Sequence, residues 1–287
     1  MLYDNSRPRY LPHMDNPEVL LMGLAPMEQT AWIETDSDIR RYHQHKLQKH
    51  EAMAEAVYRA YPASMPAQRE LSQLLLRHLR DEQSDNYAVK EGRLHCRPGQ
   101  LSVDLEATEL LWNCSLWVAD DLVIMERVEE QYRLTAASLC SPSHWYLAEK
   151  FGRPMREIHD PIPGFHPALS DKIDRCFTHL RPAHPVVRFN WALQAGNTLE
   201  QLPHRSPQAR AGTPRFYRSE RQSLVRLPET DAIAFTIRVY LHPLEMLADV
   251  EGALPSMFTA IENTPAALQE YKGFDKLAPA LEKYRPR

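Results

Sequence analysis

Between Phe216 and Leu241 the chain reads FYRSERQSLVRLPETDAIAFTIRVYL, two strands around a tight turn. In the second half Ile233, Phe235, Ile237 and Val239 alternate with Ala234, Thr236 and Arg238, the period of two expected of a strand with one buried face. Pro228-Glu229-Thr230-Asp231 supplies the turn, with proline presetting φ and aspartate bonding nearby amides. The first half is the constraint. One face would carry Phe216, Arg218, Glu220, Gln222 and Leu224, the other Tyr217, Ser219, Arg221, Ser223 and Val225, and neither is apolar enough for ordinary core. Either this is a surface strand with solvated charges, or its ionisable groups face a buried space and need partners or a ligand there.

A chain of 287 residues with net charge −4 has no basic footprint for nucleic acid or an acidic membrane. No apolar run approaches a transmembrane length, and the opening MLYDNSRPRYLP lacks the apolar core of a signal peptide, so a cytoplasmic location is expected. Cys96, Cys114, Cys140 and Cys176 lie far apart with no C-x-x-C, which argues for buried free thiols over a zinc knuckle, an iron–sulfur cluster or a disulfide framework. Glycine is scarce, 9 residues, and none of G-x-G-x-x-G, G-x-x-x-x-G-K-[ST] or G-x-S-x-G occurs. Dinucleotide, P-loop and nucleophile-elbow sites therefore have no support.

Along the chain, residues up to Met27 read as a Pro-rich arm laid over the surface. A helix follows, with Ile39, Leu47, Met53, Ala54 and Val57 on one face, Asp36 or Ser37 as N-cap and Tyr61-Pro62 as its end. A second starts after Pro66 with the stripe Leu71, Leu74, Leu75 and Leu79. Leu105 to Leu116 reads as helix, Asp121 to Leu139 as a hairpin, and Ser141 to Pro163 as short helices and turns. Asp171 to Leu180 reads as helix and Val186 to Leu193 as strand. After Leu241 come four short helical segments, Pro243–Val250, Pro255–Ile261, Pro265–Tyr271 and Leu277–Tyr284, each with a proline in or near the first turn. Hairpin, helical crossover and three strands together predict an α+β domain built on an antiparallel sheet. One domain is expected over residues 1–287, with a helical layer over 1–100, the sheet core over 101–242 and helices over 243–287.

Among residues able to carry chemistry, His43 and His45 cannot share a helix face, so with His50 they read as solvated helix histidines rather than a metal site. His159 stands alone in IHDPIPG, between a helix end and a proline-stiffened loop. A solitary imidazole cannot hold zinc, yet it suffices as the one protein ligand to a haem iron whose porphyrin supplies the other four. A packed or capping histidine is the plainer alternative. His144, His166, His179, His184 and His204 compete for the role. Trp145 and Lys150 lie nearby, and Lys150 either meets an acidic group such as a propionate or is a solvated helix charge. On VVRFNWAL, Arg188 and Asn190 share one face and Phe189, Trp191 and Leu193 the other, with Trp191 reading as core.

The segments GRPMREIHDPIPG, VVRFNWAL and FYRSERQSLVRLPETDAIAFTIRVYLHPL together resemble the α subunit of haem-dependent oxidative N-demethylase. The likeness runs from GLAPMEQTAWIETD to the tail TPAALQEYKGF. It implies a Per-ARNT-Sim (PAS)-like antiparallel sheet flanked by N-terminal and C-terminal helices, with haem b between sheet and helical flank. The implied reaction is a monooxygenase-type, NADPH-dependent oxidation of a small amine such as dimethylamine to methylamine and formaldehyde. FMN, a 2Fe–2S cluster and tetrahydrofolate would belong to partner subunits of a hetero-oligomer, and electrons would arrive from a partner reductase, since the chain has no motif to carry them. By the same resemblance His159 is the proximal ligand to iron. Arg218, or second Arg221, would stabilise charge on dioxygen; the two point to opposite faces, so one alone can serve. Glu220, assisted by Gln222, would meet the N–H groups of a protonated amine, while Trp145, Lys150 and Asn190 would border the cofactor. A structural Arg218–Glu220 pair is the conservative alternative. At the level of function, the alternatives are a haem-based PAS gas or redox sensor and a haem-free scaffold member.

Overall fold

The computed structural model describes residues 7–202 and 212–285. Helix α1 (Pro12–Asp15) and edge strand β1 (Ala25–Pro26) precede α2 (Ile39–Val57), β2 (Tyr58–Ala60) and α3 (Met65–Asp81). Three short strands follow, β3 (Tyr87–Lys90), β4 (Arg93–Cys96) and β5 (Leu101–Asp104), then α4 (Leu110–Ser115) and the hairpin β6 (Asp121–Val128) and β7 (Gln131–Ser138). A crossover of α5 (Leu147–Lys150), α6 (Met155–His159) and α7 (Phe165–His179) leads to β8 (Val186–Ala195), β9 (Arg215–Arg226) and β10 (Ile233–Pro243). The described chain closes with α8 (Ala253–Glu262), α9 (Ala266–Lys272) and α10 (Phe274–Leu281). No helix among these residues is long and apolar enough to cross a membrane.

The fold is α+β. Its main sheet is antiparallel with the order β1-β8-β9-β10-β6-β7-β2, and β3-β4-β5 form a second, smaller one. The hairpin β6–β7 turns on Glu129 and Glu130, both left-handed at φ 50° and 66°, the two-residue geometry that matches strand twist. Because β7 lies toward one edge and β8 toward the other, the α5–α7 crossover must pass over one face of the sheet. That passage separates the sheet from a helical roof, and the site lies between them.

The opposite face is covered too, which corrects two expectations. Strand β10 was expected to bury one face, but Thr236, Arg238 and Tyr240 on its other face are buried as well. Strand β9 is no surface strand: Arg218, Glu220, Arg221 and Gln222 are all buried. Over Arg221 and the β10 residues the cover is the N-terminal segment together with α2, which pack over the far face and bring acceptors with them, whereas Arg218, Glu220 and Gln222 lie on the crossover side. Arg238 donates from Nη2 to both Asp36 oxygens at 3.0 Å, and its guanidinium lies over Tyr42, 4.1 Å from the ring centre. Lys46, fully buried, spends its ammonium on the carbonyls of Ser115, Val118 and Asp120. Tyr42 Oη donates to Val239 O at 2.6 Å, fastening α2 to β10.

Other differences are local. The first hundred residues, expected as a helical layer, also hold β1 to β4. Of the helix expected over Leu105 to Leu116, Leu110–Ser115 forms. Helix α7 starts six residues ahead of Asp171, because Gly164, left-handed at φ 77°, turns the chain directly into it and Pro167 is tolerated in the first turn. His43 and His45 are not solvated: each gives a ring nitrogen to a backbone carbonyl, Leu116 O and Cys140 O. All four cysteines are free, three of them buried.

Candidate functional site

Between the sheet and the crossover lies a cavity of about 500 Å³, within the range of roughly 300–1,000 Å³ usual for small-molecule sites. The inward residues of β6, β8, β9 and β10 form its floor, and α5, α6, α7 and the C-terminal end of α9 form its roof and side. Strand alternation decides who faces it. Arg188, Asn190 and Ala192 of β8 and Glu220, Gln222 and Leu224 of β9 border it, while Phe189, Trp191 and Arg221 point away. Most of the wall is apolar, from Met125 and Leu134 on the sheet to Ile158 and Leu169 on the helices, and the ionisable groups gather at two places.

The first centres on His159, the last residue of α6. Its Nδ1 lies 2.9 Å from Met155 O. A carbonyl only accepts, so Nδ1 carries the hydrogen and donates, which leaves a lone pair on Nε2. Among the described residues no hydrogen bond engages Nε2. The ring stacks on Phe165 with centroids 4.3 Å apart and planes within 6°. Burial pushes the imidazole down to about 4, against a smaller rise from the Met155 carbonyl, so it is neutral at pH 7. Lys150, buried, and Arg188 border the same cavity, and burial lowers both from their usual values. Arg188 donates from Nη2 to Leu21 O at 2.9 Å, while its buried Nε has no partner among the described residues.

The second place is a polar network on β8, β9 and α9. Glu220 accepts from Arg218 Nε at 2.9 Å, Gln222 Nε2 at 3.0 Å and Asn190 Nδ2 at 3.2 Å. Burial alone would raise this carboxyl, but the charge and hydrogen bond of Arg218, with Lys272 and Asn190, outweigh it and hold the group below the usual range. Lys272 donates to Asn190 Oδ1 and Trp191 O, each at 3.0 Å. His144 and Tyr271 border the cavity beside it, and burial pushes His144 down to about 4.

Of the residues singled out in the sequence, His159, Trp145, Lys150, Asn190, Glu220 and Gln222 are brought to one cavity. The two arginines offered for dioxygen are not. Arg221 faces the other side of the sheet, where Nη1 donates to Trp32 O at 2.9 Å and Nε lies 3.3 Å from Glu34. Arg218 shares the cavity-facing side but does not border the cavity: its remaining donors are spent on Leu199 O and Ser141 O, both at 2.7 Å. Arg188 is the guanidinium that does border the space, and strand alternation in VVRFNWAL carried that signal. Lys272 went unnoticed because nothing in AALQEYK distinguishes it from a solvated helix lysine. Among the competing histidines, His144 borders the cavity, whereas His166, His179 and His184 are exposed. His166 pairs with Asp160 at 2.6 Å. His204 lies outside the described residues.

A model of the family described as haem-dependent oxidative N-demethylase, alpha subunit-like, matches residues 23–282. The chain belongs to that family. Apart from Val19, Leu20 and Met22, every residue bordering the cavity falls inside the span matched to the alpha-subunit-like family. Among the described residues no three His, Cys, Asp or Glu side chains cluster to hold a metal by themselves.

The buried histidines also set an acid limit on the fold. His13, His78, His144, His159 and His242 are each pushed down to about 4 by burial, from 6.5. Between those values the unfolded chain binds more protons than the folded one, so stability falls as pH drops. Asp120, raised by burial from 3.8 to about 6, works in the opposite sense, because the folded state holds its proton more tightly. His43 and His45 are lowered as well and Asp121 is raised alongside Asp120, so seven histidines against two aspartates give the sign: chemical denaturation midpoints should be highest above about pH 6.5 and fall steadily toward about pH 4. A midpoint that rises on acidification across that window would contradict the neutral, buried assignment.

Proposed function

We propose that the chain is the haem-binding catalytic subunit of an oxidative N-demethylase acting on a small amine such as dimethylamine, with NADPH-derived electrons delivered by a partner reductase. The observation that carries the reading is His159, with Nδ1–H tied to Met155 O and the Nε2 lone pair unspent, on the wall of a largely apolar cavity. A ligand histidine is typically oriented by such a donation from its other nitrogen. The cavity residues fit haem b: an apolar wall for the macrocycle, and Lys150 to receive a carboxylate. Two hairpin strands, a helical crossover and three further strands, ordered β7-β6-β10-β9-β8, support a single PAS-like haem-binding domain.

Bound haem would supply the oxidation of an N-methyl group by dioxygen, yielding the shorter amine, formaldehyde and water with two electrons from NADPH. The chain's own residues do the rest. Glu220 is kept ionised, and of its roughly four lone-pair sites three are occupied, so one remains for an amine N–H. Asn190 and Gln222 fix the carboxylate's orientation, and Arg218 positions it from behind. The apolar wall excludes water from the methyl group. FMN, a 2Fe–2S cluster and tetrahydrofolate belong, on this reading, to partner subunits in a cytoplasmic hetero-oligomer.

Purified protein should carry haem, seen as a Soret band, and with a cognate flavin and iron–sulfur reductase should consume NADPH only when the amine is present. A haem-loaded protein whose NADPH consumption ignores every amine offered would point to a sensor and defeat the enzyme reading. A protein that takes up no haem at all would leave the scaffold reading.

A further inference from the structure

At the polar end of the cavity cationic side chains outnumber anionic ones. Arg218 pairs there with the one carboxylate, Glu220, at 2.9 Å, while Lys272, bonded to the Asn190 that also holds Glu220, and Arg188 border the same cavity. Glu220 is already satisfied by three donors, one of them the Arg218 guanidinium. Lys272 has spent two of its three N–H groups, on Asn190 Oδ1 and Trp191 O, and the third has no acceptor among the described residues. The buried Nε of Arg188 is likewise without a partner there. His144 and Tyr271, the neighbouring titratable groups, carry no negative charge at neutral pH: burial lowers the imidazole and raises the phenol. A protonated amine placed here would add a charge of the majority sign in a low-dielectric space. A ligand that also brings an acceptor anion would complete the two open donors and offset the excess.

We propose that the substrate of this cavity carries a carboxylate beside its N-methylated nitrogen, making it a small N-methyl amino acid rather than a bare alkylamine, and that Lys272 with Arg188 receives that carboxylate. The inference rests on the demethylase reading, keeps its N-demethylation and replaces dimethylamine as the substrate. The ammonium end keeps the one open lone-pair site of Glu220, and the carboxylate lies toward α9. Lys272 thereby becomes the residue that sets specificity, since it is the cation of this group that comes from outside the sheet.

The test is calorimetric titration of the purified protein, without reductant, using N-methylglycine, N-methylethylamine as its near-isostere lacking the carboxylate, and dimethylamine. N-Methylglycine should bind at least roughly tenfold more tightly than either amine, the scale of one charge-assisted hydrogen bond. Lys272→Met should erase that preference while haem content, read from the Soret band, stays full. Amines that bind as tightly as N-methylglycine overturn the inference and leave the amine-oxidising reading standing. Loss of haem in Lys272→Met with the preference intact also overturns it, because the anion served by Lys272 would then be the porphyrin's own carboxylate. A haem-free wild-type protein that still prefers N-methylglycine keeps the inference and defeats the demethylase reading instead. Should Lys272→Met fail to fold, the wild-type series decides alone, and Lys272→Arg, which retains the charge, is expected to keep the preference.

Discussion

Replacing His159 with alanine should strip the cavity of haem. The loss of affinity should exceed the roughly 10–100-fold that removing a mere supporting partner of a metal ligand costs, because on the proposed reading the imidazole is itself the one protein ligand. Far-ultraviolet circular dichroism should be unchanged, since α6 loses one side-chain bond, to Met155 O, at its last turn. Imidazole added to the variant should restore part of the Soret band by entering the space the ring vacates. The matched control is His144→Ala, the other histidine on the wall, which should keep its haem. Stoichiometric haem with an unaltered spectrum in His159→Ala would defeat the assignment, and loss confined to the His144 variant would transfer it.

The second large effect lies on the opposite face of the sheet. Asp36→Ala should destabilise the fold by about 3–5 kcal/mol, the usual cost of removing one partner from a buried ion pair. Both members are 1% exposed, and Arg238 Nε and Nη1 already lack partners among the described residues. Removing the carboxylate leaves the guanidinium with the faces of Tyr42 and Tyr240 and the more distant carboxyl of Asp120 as compensation. Replacing the pair together, Asp36→Leu with Arg238→Met, should cost less than the single change, because the Arg238 guanidinium is then not left buried without its carboxylate. Urea unfolding monitored by fluorescence reads both; a single-variant loss under about 1 kcal/mol would show that the pair is wetter than its burial indicates.

What the chain discloses on its own follows the range of the forces involved. Alternation is a local property, and it assigned the faces of β8 correctly: Arg188 and Asn190 to one side, Phe189, Trp191 and Leu193 to the other. It also placed Arg218 and Arg221 on opposite faces of β9. What alternation cannot carry is the identity of partners distant in sequence. Arg221 finds Trp32 O, 189 positions away, and Arg238 finds Asp36, 202 away. Without those contacts a charged strand reads as solvated or as ligand-facing, which is why Arg218 looked available for dioxygen when its donors are spent on backbone. The small β3-β4-β5 sheet was missed for another reason: YAVK, RLHC and LSVD are too short for a period to register. Gly92, left-handed after Glu91, was the signal that remained. His159, which two prolines set apart in the sequence, does border the cavity, and its part in binding is the proposal made above.

Arg218 ties together two stretches of backbone that meet nowhere near it in sequence. One guanidinium holds Ser141 O and Leu199 O, while Ser143 and Gln201 bridge in parallel a few residues on and His144 N donates to Gln201 O. The 141–146 segment that borders the cavity is thus held at one end by this guanidinium and further along by backbone bonds to Gln201. Shortening that side chain would loosen the rim that carries His144 and Trp145, so its kinetic signature would mimic loss of a contact residue even though the guanidinium never meets the ligand. Lysine at this position retains the charge for Glu220 but cannot span both carbonyls and the carboxylate in one plane. The comparison of Arg218→Lys with Arg218→Met thus separates the work of the charge from the work of the fork.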